Sequence, residues 1–340
     1  MLPSHQILVG DCLDLLRQMP DRSVHCCITS PPYYALRDYG VDGQIGLEES
    51  PAEFVARLVE VFREVRRVLR DDGTCWVNMG DSYRLDKQLM GMPWRLALAL
   101  QDDGWYLRQD IIWHKPNPMP ESIRDRCTKA HEYLFLLSKS RRYYFDSDAI
   151  REPAAYGVCP TGVGFGHGTD AEQRNRPRIA VPAGWDTSTG EGGHGSFHRD
   201  GAARGSKRNS FARESKYTAG EHGQKAQHRP GREDIEYSQT RNKRSVWTVA
   251  TQGFKGAHFA TYPPELIRPC VLAGSPRGGL VLDPFGGAGT TGLVAMQEGR
   301  RSIMCELNPE YAEMARARLR QAWHDGAAQM DVLLDAKEIA

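Results

Sequence analysis

The segment Leu-Val-Leu-Asp-Pro-Phe-Gly-Gly-Ala-Gly-Thr-Thr-Gly at residues 280–292 decides the fold class. Its first three residues form a short apolar run typical of a buried strand, and the glycines allow a tight turn into a helix predicted over 290–299. Residues 287–292 also satisfy the pattern G-x-G-x-x-G, although a single match of this kind is weak. We therefore expect a strand, a turn that binds a nucleotide cofactor, and a helix.

A second strand and an acidic residue follow this helix. Glu306 comes directly after the apolar run 302–305, and a helix is predicted over 309–323. A carboxylate at the end of such a strand can accept hydrogen bonds from both ribose hydroxyls of an adenosine cofactor. Several adenosine cofactors share that need, so these residues leave an NAD-dependent oxidoreductase open.

The N-terminal 150 residues also alternate strand-like and helical patterns. Strands are predicted over 7–9, 24–28, 75–77, 110–113 and 133–137, and helices over 13–19 and 52–69. Such alternation is typical of an α/β domain, and ligands of a doubly wound sheet bind beyond the carboxyl ends of its strands. We predict a Rossmann-like α/β fold in which the N-terminal and C-terminal units share one sheet.

A rigid polar loop follows the strand predicted over 24–28. Its sequence is Thr29-Ser30-Pro31-Pro32-Tyr33, and the two prolines fix φ and remove two backbone donors. The Ser30 hydroxyl and the Pro31 carbonyl could each accept a hydrogen from an exocyclic base amine, which frees the nitrogen lone pair, and Tyr33 could stack on an extruded base. The alternative interpretation is an ordinary Pro-Pro turn after a strand.

Residues 151–244 differ in composition from the rest of the chain. They contain 15 of the 34 glycines and 16 basic against 11 acidic residues, whereas the rest contains 28 basic against 32 acidic residues. We interpret this segment as a basic, loop-rich insertion whose charge suits phosphate; a disordered linker is the alternative. The candidate DNA-contacting residues are Arg174, Arg176, Arg178, Arg204, Lys207, Arg208, Arg241, Lys243 and Arg244.

Composition restricts the remaining classes. No apolar run reaches the roughly 18 residues of a membrane span, and the 340-residue chain starts without a basic-then-apolar signal, so we expect a cytoplasmic protein without a membrane partner. The eight cysteines include no Cys-x-x-Cys pair and are expected to be buried, reduced thiols. Without paired ligand spacings we expect no metal.

These motifs resemble those of the DNA amino-methyltransferases. Ser30 to Tyr33 is similar to the (Asn/Asp/Ser)-Pro-Pro-(Tyr/Phe) catalytic motif, and Phe285 to Gly289 is similar to the Phe-x-Gly-x-Gly cofactor motif. The catalytic motif precedes the cofactor motif, which is the β-group order and implies a circularly permuted motif order in the sheet. Gly10-Asp11-Cys12-Leu13 and the segment 258–263 resemble two further cofactor-lining segments, with Tyr262 where phenylalanine is usual.

The resemblance implies S-adenosylmethionine as cofactor and double-stranded DNA as substrate. The catalytic residues it implies are Ser30, Pro31, Pro32 and Tyr33. The cofactor-binding residues it implies, with Asp11 at the adenine and Glu306 at the ribose, are Asp11, Asp283, Phe285, Gly286, Gly287, Gly289, Thr290, Thr291, Glu306, His258 and Thr261. Serine before Pro-Pro-Tyr favours N4-cytosine over N6-adenine methylation by resemblance alone, because serine and aspartate would both accept an N–H.

The same resemblance divides the chain into four parts. They are a catalytic half at 1–150, a target-recognition insertion at 151–244, a cofactor-binding half at 245–322 and a C-terminal tail at 323–340. Members of the family are sometimes dimers and can accompany a restriction endonuclease, so a homodimer and a cognate endonuclease are left open as partners. A methyltransferase acting on RNA or protein glutamine and a non-catalytic DNA-binding protein are the remaining alternatives.

Overall fold

The computed structural model describes residues 4–38, 40–84, 86–153, 240–251 and 262–338, with side chains up to residue 326. These residues belong to one compact unit, in which the chain up to residue 153 is joined by the chain from residue 240 onward. Residues 240–244, predicted as the end of the insertion, thus lie in the core unit. In the part of the chain described, no helix has the length and apolarity needed to cross a membrane.

An eight-stranded sheet forms the centre of this unit. Its strands are β1 (His5–Val9), β2 (Val24–Thr29), β3 (Leu69–Met79), β4 (Tyr106–His114), β5 (His131–Ser138), β8 (Val246–Thr248), β9 (Leu280–Asp283) and β10 (Arg301–Glu306). The order across the sheet is β1-β10-β9-β2-β3-β5-β4-β8. Only β5 runs antiparallel to its neighbours among these strands. Strands β6 (Glu152–Pro153) and β7 (Thr240–Arg241) form a separate antiparallel pair.

Helices cover both faces of the sheet. One face carries α1 (Cys12–Arg17), α2 (Pro51–Val68) and α3 (Met92–Asp102), and the other carries α4 (Pro264–Gly274), α5 (Thr290–Gln297) and α6 (Pro309–Glu338). Alternation along β3 explains the division, because Cys75 and Val77 pack with the first group whereas Trp76 packs with the second. The predicted Rossmann-like doubly wound fold is confirmed.

The pairing of β9 with β2 brings the two halves of the chain together. Cys26 lies opposite Val281 and Cys27 opposite Leu282, in parallel register. The carboxyl ends of β1, β10, β9 and β2 therefore meet at one edge of the sheet. The loops that follow these strands carry the catalytic and cofactor motifs singled out in the sequence.

Several elements differ from the sequence-based expectations. Helices α3 and α4 and strand β8 were not predicted, and α6 continues to Glu338, so the segment predicted as a tail prolongs a helix. Six of the described cysteines are buried and free as expected, but Cys127 is exposed. The expectation of uniformly buried thiols was therefore wrong at Cys127, which lies in the long loop between β4 and β5.

Candidate active site

The loop after β2 is joined to the loop after β9 by a buried hydrogen bond. Thr29, the last residue of β2, donates its hydroxyl to Oδ1 of Asp283 at 2.7 Å. Asp283 is the last residue of β9 and is 1% exposed. Because β2 and β9 are adjacent, this bond fixes the Ser-Pro-Pro-Tyr loop relative to the glycine loop.

Asp283 is surrounded by four hydrogen-bond donors. Besides Thr29, Oδ1 accepts from the Phe285 N–H at 3.0 Å, and Oδ2 accepts from the hydroxyls of Thr291 at 2.6 Å and Tyr262 at 3.1 Å. Burial raises the pKa of this carboxyl, and the four donors oppose that rise. A carboxylate has about four acceptor sites, so this side chain is saturated within the protein.

Glycines shape the loop between β9 and α5. Gly287 and Gly289 adopt φ of 48° and 75°, in the left-handed region where a side chain is strained. A Cβ on Gly286 would lie 2.9 Å from the Cβ of Met304, so the close approach of this loop to β10 requires glycine there. The Gly286 N–H donates to the Cys305 carbonyl at 2.7 Å, which holds the loop against β10.

Glu306 ends β10 and has a different hydrogen-bonding state from Asp283. Its Oε2 accepts from the Gly287 N–H at 2.8 Å and its Oε1 from the Asn308 N–H at 2.9 Å. Burial raises the pKa of Glu306, and these two backbone donors oppose the rise. Each carboxylate oxygen therefore retains about one acceptor site for a ligand.

Asp11 follows β1 and caps α1. Its Oδ1 accepts from the N–H groups of Leu13 at 2.9 Å and Asp14 at 3.1 Å, which satisfies two donors at the helix start. Both of these bonds use Oδ1, and Asp11 also lines the cavity. Asp11 thus combines a structural role with a position in the cavity wall.

A second polar cluster lies under the Ser-Pro-Pro-Tyr loop and is centred on Glu132 of β5. Its Oε2 accepts from the Tyr33 hydroxyl at 2.8 Å and from the Asn78 amide at 3.0 Å, and its Oε1 forms an ion pair with Lys115. Burial and then the nearby Glu132 charge raise the pKa of Tyr33 well above its usual range. The Tyr33 hydroxyl is therefore neutral and donates a hydrogen bond to the Glu132 carboxylate.

Gly80 makes room for this cluster. A Cβ at this position would lie 2.8 Å from Cε2 of Tyr33 and 3.2 Å from Cδ of Glu132. Any larger residue would push the tyrosine ring away from its partner. No sequence pattern signals this requirement, because the glycine only matters once β3, β5 and the loop after β2 are assembled.

One cavity of about 750 Å³ is lined both by the cluster around Glu132 and by the glycine loop with Glu306. This volume is within the range of about 300–1,000 Å³ that is usual for small-molecule and cofactor sites. Of the predicted site residues, those in its wall are Asp11, Ser30, Pro31, Pro32, Tyr33, Phe285, Gly286, Gly287, Thr290 and Glu306. Asp283, Gly289 and Thr291 lie behind that wall instead, where Asp283 and Thr291 hold the loops by their mutual hydrogen bond.

Comparison with known proteins shows to which family this chain belongs. A family model described as DNA methylase matches residues 24–157 and 196–317. The chain belongs to the DNA methylase family. It is an S-adenosylmethionine-dependent DNA amino-methyltransferase, which excludes the oxidoreductase and the non-catalytic alternatives.

Relatives of this methylase cover nearly its whole length. The Type II methyltransferase M.Cfr9I of Citrobacter freundii is 41% identical over 339 residues, covering 92% of this chain and 86% of its own. The Type II methyltransferase M.XycI of Xanthomonas campestris pv. cyanopsidis is 40% identical over 348 residues, covering 94% of this chain and 89% of its own. The expected family is thereby confirmed.

Two solved structures share the fold of the methylase. The PvuII DNA methyltransferase (cytosine-N4-specific) has a TM-score of 0.58 at 18% identity, covering 92% of this chain and 85% of its own. A Thermus thermophilus protein named as a DNA modification methylase, complexed with S-adenosyl-L-methionine, has a TM-score of 0.52 at 24% identity, covering 94% and 95%. At these identities the likeness concerns the fold alone.

The residues of the methylase cavity fit its cofactor. The free acceptor sites of Glu306 match the two hydroxyls of a ribose, and Gly286 and Gly287 beside it leave backbone at the cavity wall. Tyr262, in the segment that resembles a cofactor-lining region, also lines the cavity. His258 and Thr261 from the same segment are outside the described residues. Over the described ranges, no group of acidic, histidine or cysteine side chains could hold a metal.

The predicted DNA-contacting residues are only partly described. Arg241 and Arg244 both pair with Glu152, at 2.8 and 2.7 Å, and the Lys243 ammonium lies 5.0 Å from the centre of the Trp247 ring. Arg174, Arg176, Arg178, Arg204, Lys207 and Arg208 are outside the described residues. Their contact with DNA stays a prediction.

Glu132, Asn78 and Lys115 are cavity residues to which sequence reasoning assigned no role. A polar Asn inside an apolar strand-like run is a usable sequence signal for a buried hydrogen bond. Asn78 is 2% exposed, and a buried amide needs a partner. Its partner could not be read from the sequence, because 54 residues separate it from Glu132.

Proposed function

We propose that this methylase transfers a methyl group to N4 of cytosine at a specific site in double-stranded DNA. The observation that carries the proposal is the joint position of Ser30 and Pro31 with Phe285 and Glu306 in the wall of one cavity. Such a cavity can hold a methyl donor and an extruded base side by side. Proximity and orientation then supply most of the rate enhancement.

Ser30 and Pro31 act on the base amine. An exocyclic amine is a weak nucleophile because its lone pair is delocalised into the ring. The Ser30 hydroxyl and the Pro31 carbonyl accept one amine hydrogen each, which draws the nitrogen toward tetrahedral geometry and exposes the lone pair. Tyr33 offers its ring to the base while Glu132 holds its hydroxyl at 2.8 Å. The bound cofactor supplies an already activated sulfonium methyl group.

Cofactor binding is assigned to the opposite side of the cavity. Glu306 accepts the ribose hydroxyls with its two remaining sites, and Asp11 accepts from the adenine amine with Oδ2. Phe285, Gly286, Gly287 and Thr290 line the cavity beside them. We assign Asp283, Gly289 and Thr291 to holding the loops rather than to direct contact, because Asp283 has no acceptor site left.

The preference for cytosine rests on Ser30 and on the cations near it. Lys115 and Lys129 both line the cavity on the side of Glu132. Cytosine presents two acceptors, N3 and the carbonyl oxygen O2, on the same edge as its amine, whereas adenine presents N1 alone on the corresponding edge. A lysine donor therefore has more to bind on cytosine. N6-adenine methylation is the alternative product.

Nucleoside analysis tests the choice of base. DNA from a host that lacks both modified bases, expressing the protein, is hydrolysed and its nucleosides are separated by mass spectrometry. We expect N4-methylcytosine, and its absence from a host expressing Ser30→Ala at equal level would attribute it to this site. Finding N6-methyladenine alone would overturn the assignment to cytosine while leaving the amino-methyltransferase intact.

Target recognition is assigned to the basic insertion predicted at 151–244, of which residues 151–153 and 240–244 belong to the core unit. Its surplus of arginine and lysine suits contacts to phosphate, which supply affinity, while a minority of residues would read base edges. Deletion of residues 160–235 should abolish site-specific methylation while binding of S-adenosylmethionine survives. Retained site specificity in the deletion variant would refute this assignment.

We further propose a cognate restriction endonuclease as partner of this methylase. The support is that relatives covering most of the chain carry the name Type II methyltransferase. Such an endonuclease would cut the same site that this enzyme protects. Long-read sequencing of the expressing host gives that site, and resistance of the modified DNA to an endonuclease encoded nearby tests the pairing. A homodimer stays a prediction.

A further inference from the structure

Met119 is an unusual surface residue at the mouth of the cavity. Its side chain is 85% exposed, and Val246, the next most exposed large apolar residue among those described, is 58% exposed. Met119 also lines the cavity that contains Ser30 and Tyr33. An exposed apolar side chain in the wall of a cavity that is proposed to hold a base is placed to meet the stacked bases of the substrate.

The loop that carries Met119 is rigid. Pro116, Pro118 and Pro120 alternate with Lys115, Asn117 and Met119, so prolines fix three φ angles and restrict the residues before them to extended conformations. Asn117 anchors the loop to Thr251, accepting its N–H at 2.9 Å and donating to its carbonyl at 3.1 Å. The exposed methionine is thus presented on a stiff support.

Two cations belong to the loop that carries Met119. Arg124 is exposed, and Lys129 lines the cavity 4.0 Å from the carboxylate of Asp81. Arginine and lysine contacts to phosphates position a protein on a duplex. A loop with an exposed apolar side chain and an exposed cation suits stacked bases that are bordered by phosphates.

We propose that Met119 is a wedge that enters the base stack of duplex DNA and fills the space left by the extruded target base. The inference rests on the proposed action on a flipped base in double-stranded DNA. Apolar side chains are known to insert between base steps and to unstack them. Met119 is a positioning residue, since it acts on the stack rather than on the reacting amine.

DNA in which the target base has no partner distinguishes a wedge from a residue whose loss slows methyl transfer for any other reason. A base that lacks its Watson–Crick partner costs less to extrude, so a wedge matters less for it. Single-turnover methyl transfer from tritiated S-adenosylmethionine is measured on two duplexes carrying the target site, one fully paired and one with an abasic position opposite the target base. Met119→Ala, Met119→Leu and the loop control Ile123→Ala, whose side chain is 42% exposed, are compared with the wild type.

We expect Met119→Ala to slow transfer to the paired duplex about tenfold, and to recover to within about threefold of the wild type on the abasic duplex. Met119→Leu and Ile123→Ala should stay within about threefold of the wild type on both. Equal slowing on both duplexes, or no slowing on either, would overturn the wedge. The product base is analysed in the wild-type reaction, so a wrong assignment to cytosine is detected separately and leaves this comparison valid.

Discussion

Asp283 and Glu306 end neighbouring strands of the sheet, yet their carboxylates have different hydrogen-bonding states. Asp283 is 1% exposed and accepts from four groups of the protein itself. Glu306 lines the cavity and accepts from two backbone N–H groups. The number of acceptor sites left on a carboxylate thus distinguishes a residue that builds the site from a residue that can bind the ligand.

The same comparison applies to the two other carboxylates of the site. We call residues that hold the site together builders and residues that can bind the ligand binders. Glu132 accepts from Tyr33 and Asn78 and pairs with Lys115, so it is a builder. Asp11 uses Oδ1 for the start of α1 and lines the cavity, so we propose that it belongs with the binders. The resemblance to a family cannot make this distinction, because it assigns a residue by its motif position and not by the donors around it.

The largest expected effect comes from Asp283→Asn. The amide keeps one acceptor oxygen and turns an N–H group toward two of the four present donors. If these are the Thr291 and Tyr262 hydroxyls, they must accept from the amide and donate elsewhere, which disrupts the buried network. We expect the free energy of unfolding to fall by about 3 kcal/mol. Urea unfolding followed by circular dichroism measures it.

Glu306→Gln is the matched control for that experiment. It changes the neighbouring carboxylate in the same way, but at the cavity wall, where water can replace lost partners. We expect its free energy of unfolding to stay within about 1 kcal/mol of the wild type. Equal destabilisation by the two substitutions would contradict the division into builders and binders.

A smaller effect is expected from Glu132→Gln, and it should appear in catalysis. One amide oxygen cannot serve Tyr33, Asn78 and Lys115 together, so either the Lys115 ammonium or the pair of donors formed by Tyr33 and Asn78 loses its acceptor, and the cluster that holds the Tyr33 ring is weakened. We expect the single-turnover rate to fall about 10- to 100-fold while the Kd of S-adenosylmethionine stays unchanged. Tyr33→Phe, which removes one of these bonds and keeps the ring, should lose less. A weakened cofactor Kd in Glu132→Gln would show that the two clusters are not separate.

The pH dependence of cofactor binding gives the smallest effect. Burial raises the pKa of Glu306 above its ordinary value of 4.5. The ionised carboxylate therefore lowers the free energy of unfolding of the protein without cofactor. This destabilisation is lost as the pH falls through the raised pKa. Ribose hydroxyls favour the ionised form, so cofactor affinity should fall over the same window, by at most about tenfold per pH unit.

Calorimetric titrations across that window measure the loss of affinity. The variant Glu306→Gln should lack this dependence. Any dependence that remains belongs to other groups, among them Asp283, whose pKa is also raised by burial. An unchanged pH dependence in the variant would exclude Glu306 as its source.

Those parts of the molecule that depend on local pattern were predictable from the sequence. Apolar runs indicated β2, β9 and β10, and the helical spacing of residues 52–69 indicated α2, observed at Pro51–Val68. The glycine loop and the Ser-Pro-Pro-Tyr loop were assigned to one site because both follow parallel strands. Their meeting in one cavity agrees with that reasoning.

Long-range partners could not be predicted in the same way. The bond from Thr29 to Asp283 spans 254 residues, and the ion pair of Lys115 with Glu132 depends on two antiparallel strands whose order no local pattern fixes. Asp283 was grouped with the cofactor ligands, and its reassignment to holding the loops is our proposal. It rests on the four donors around the carboxylate, which the sequence does not reveal. Strand β8 was missed because its three residues are too few for a period.

A thermodynamic cycle on the ribose tests the central distinction most directly. Calorimetry gives the Kd of S-adenosylhomocysteine and of its 2′-deoxy and 3′-deoxy analogues for the wild type and for Glu306→Gln. In the wild type, removal of either hydroxyl should weaken binding about 10- to 100-fold, because each loses a bond to a charged acceptor. In Glu306→Gln the penalty for at least one hydroxyl should shrink to within about threefold. Wild-type protein that binds the deoxy analogues as tightly as the parent compound, or a variant that keeps both full penalties, would contradict the account.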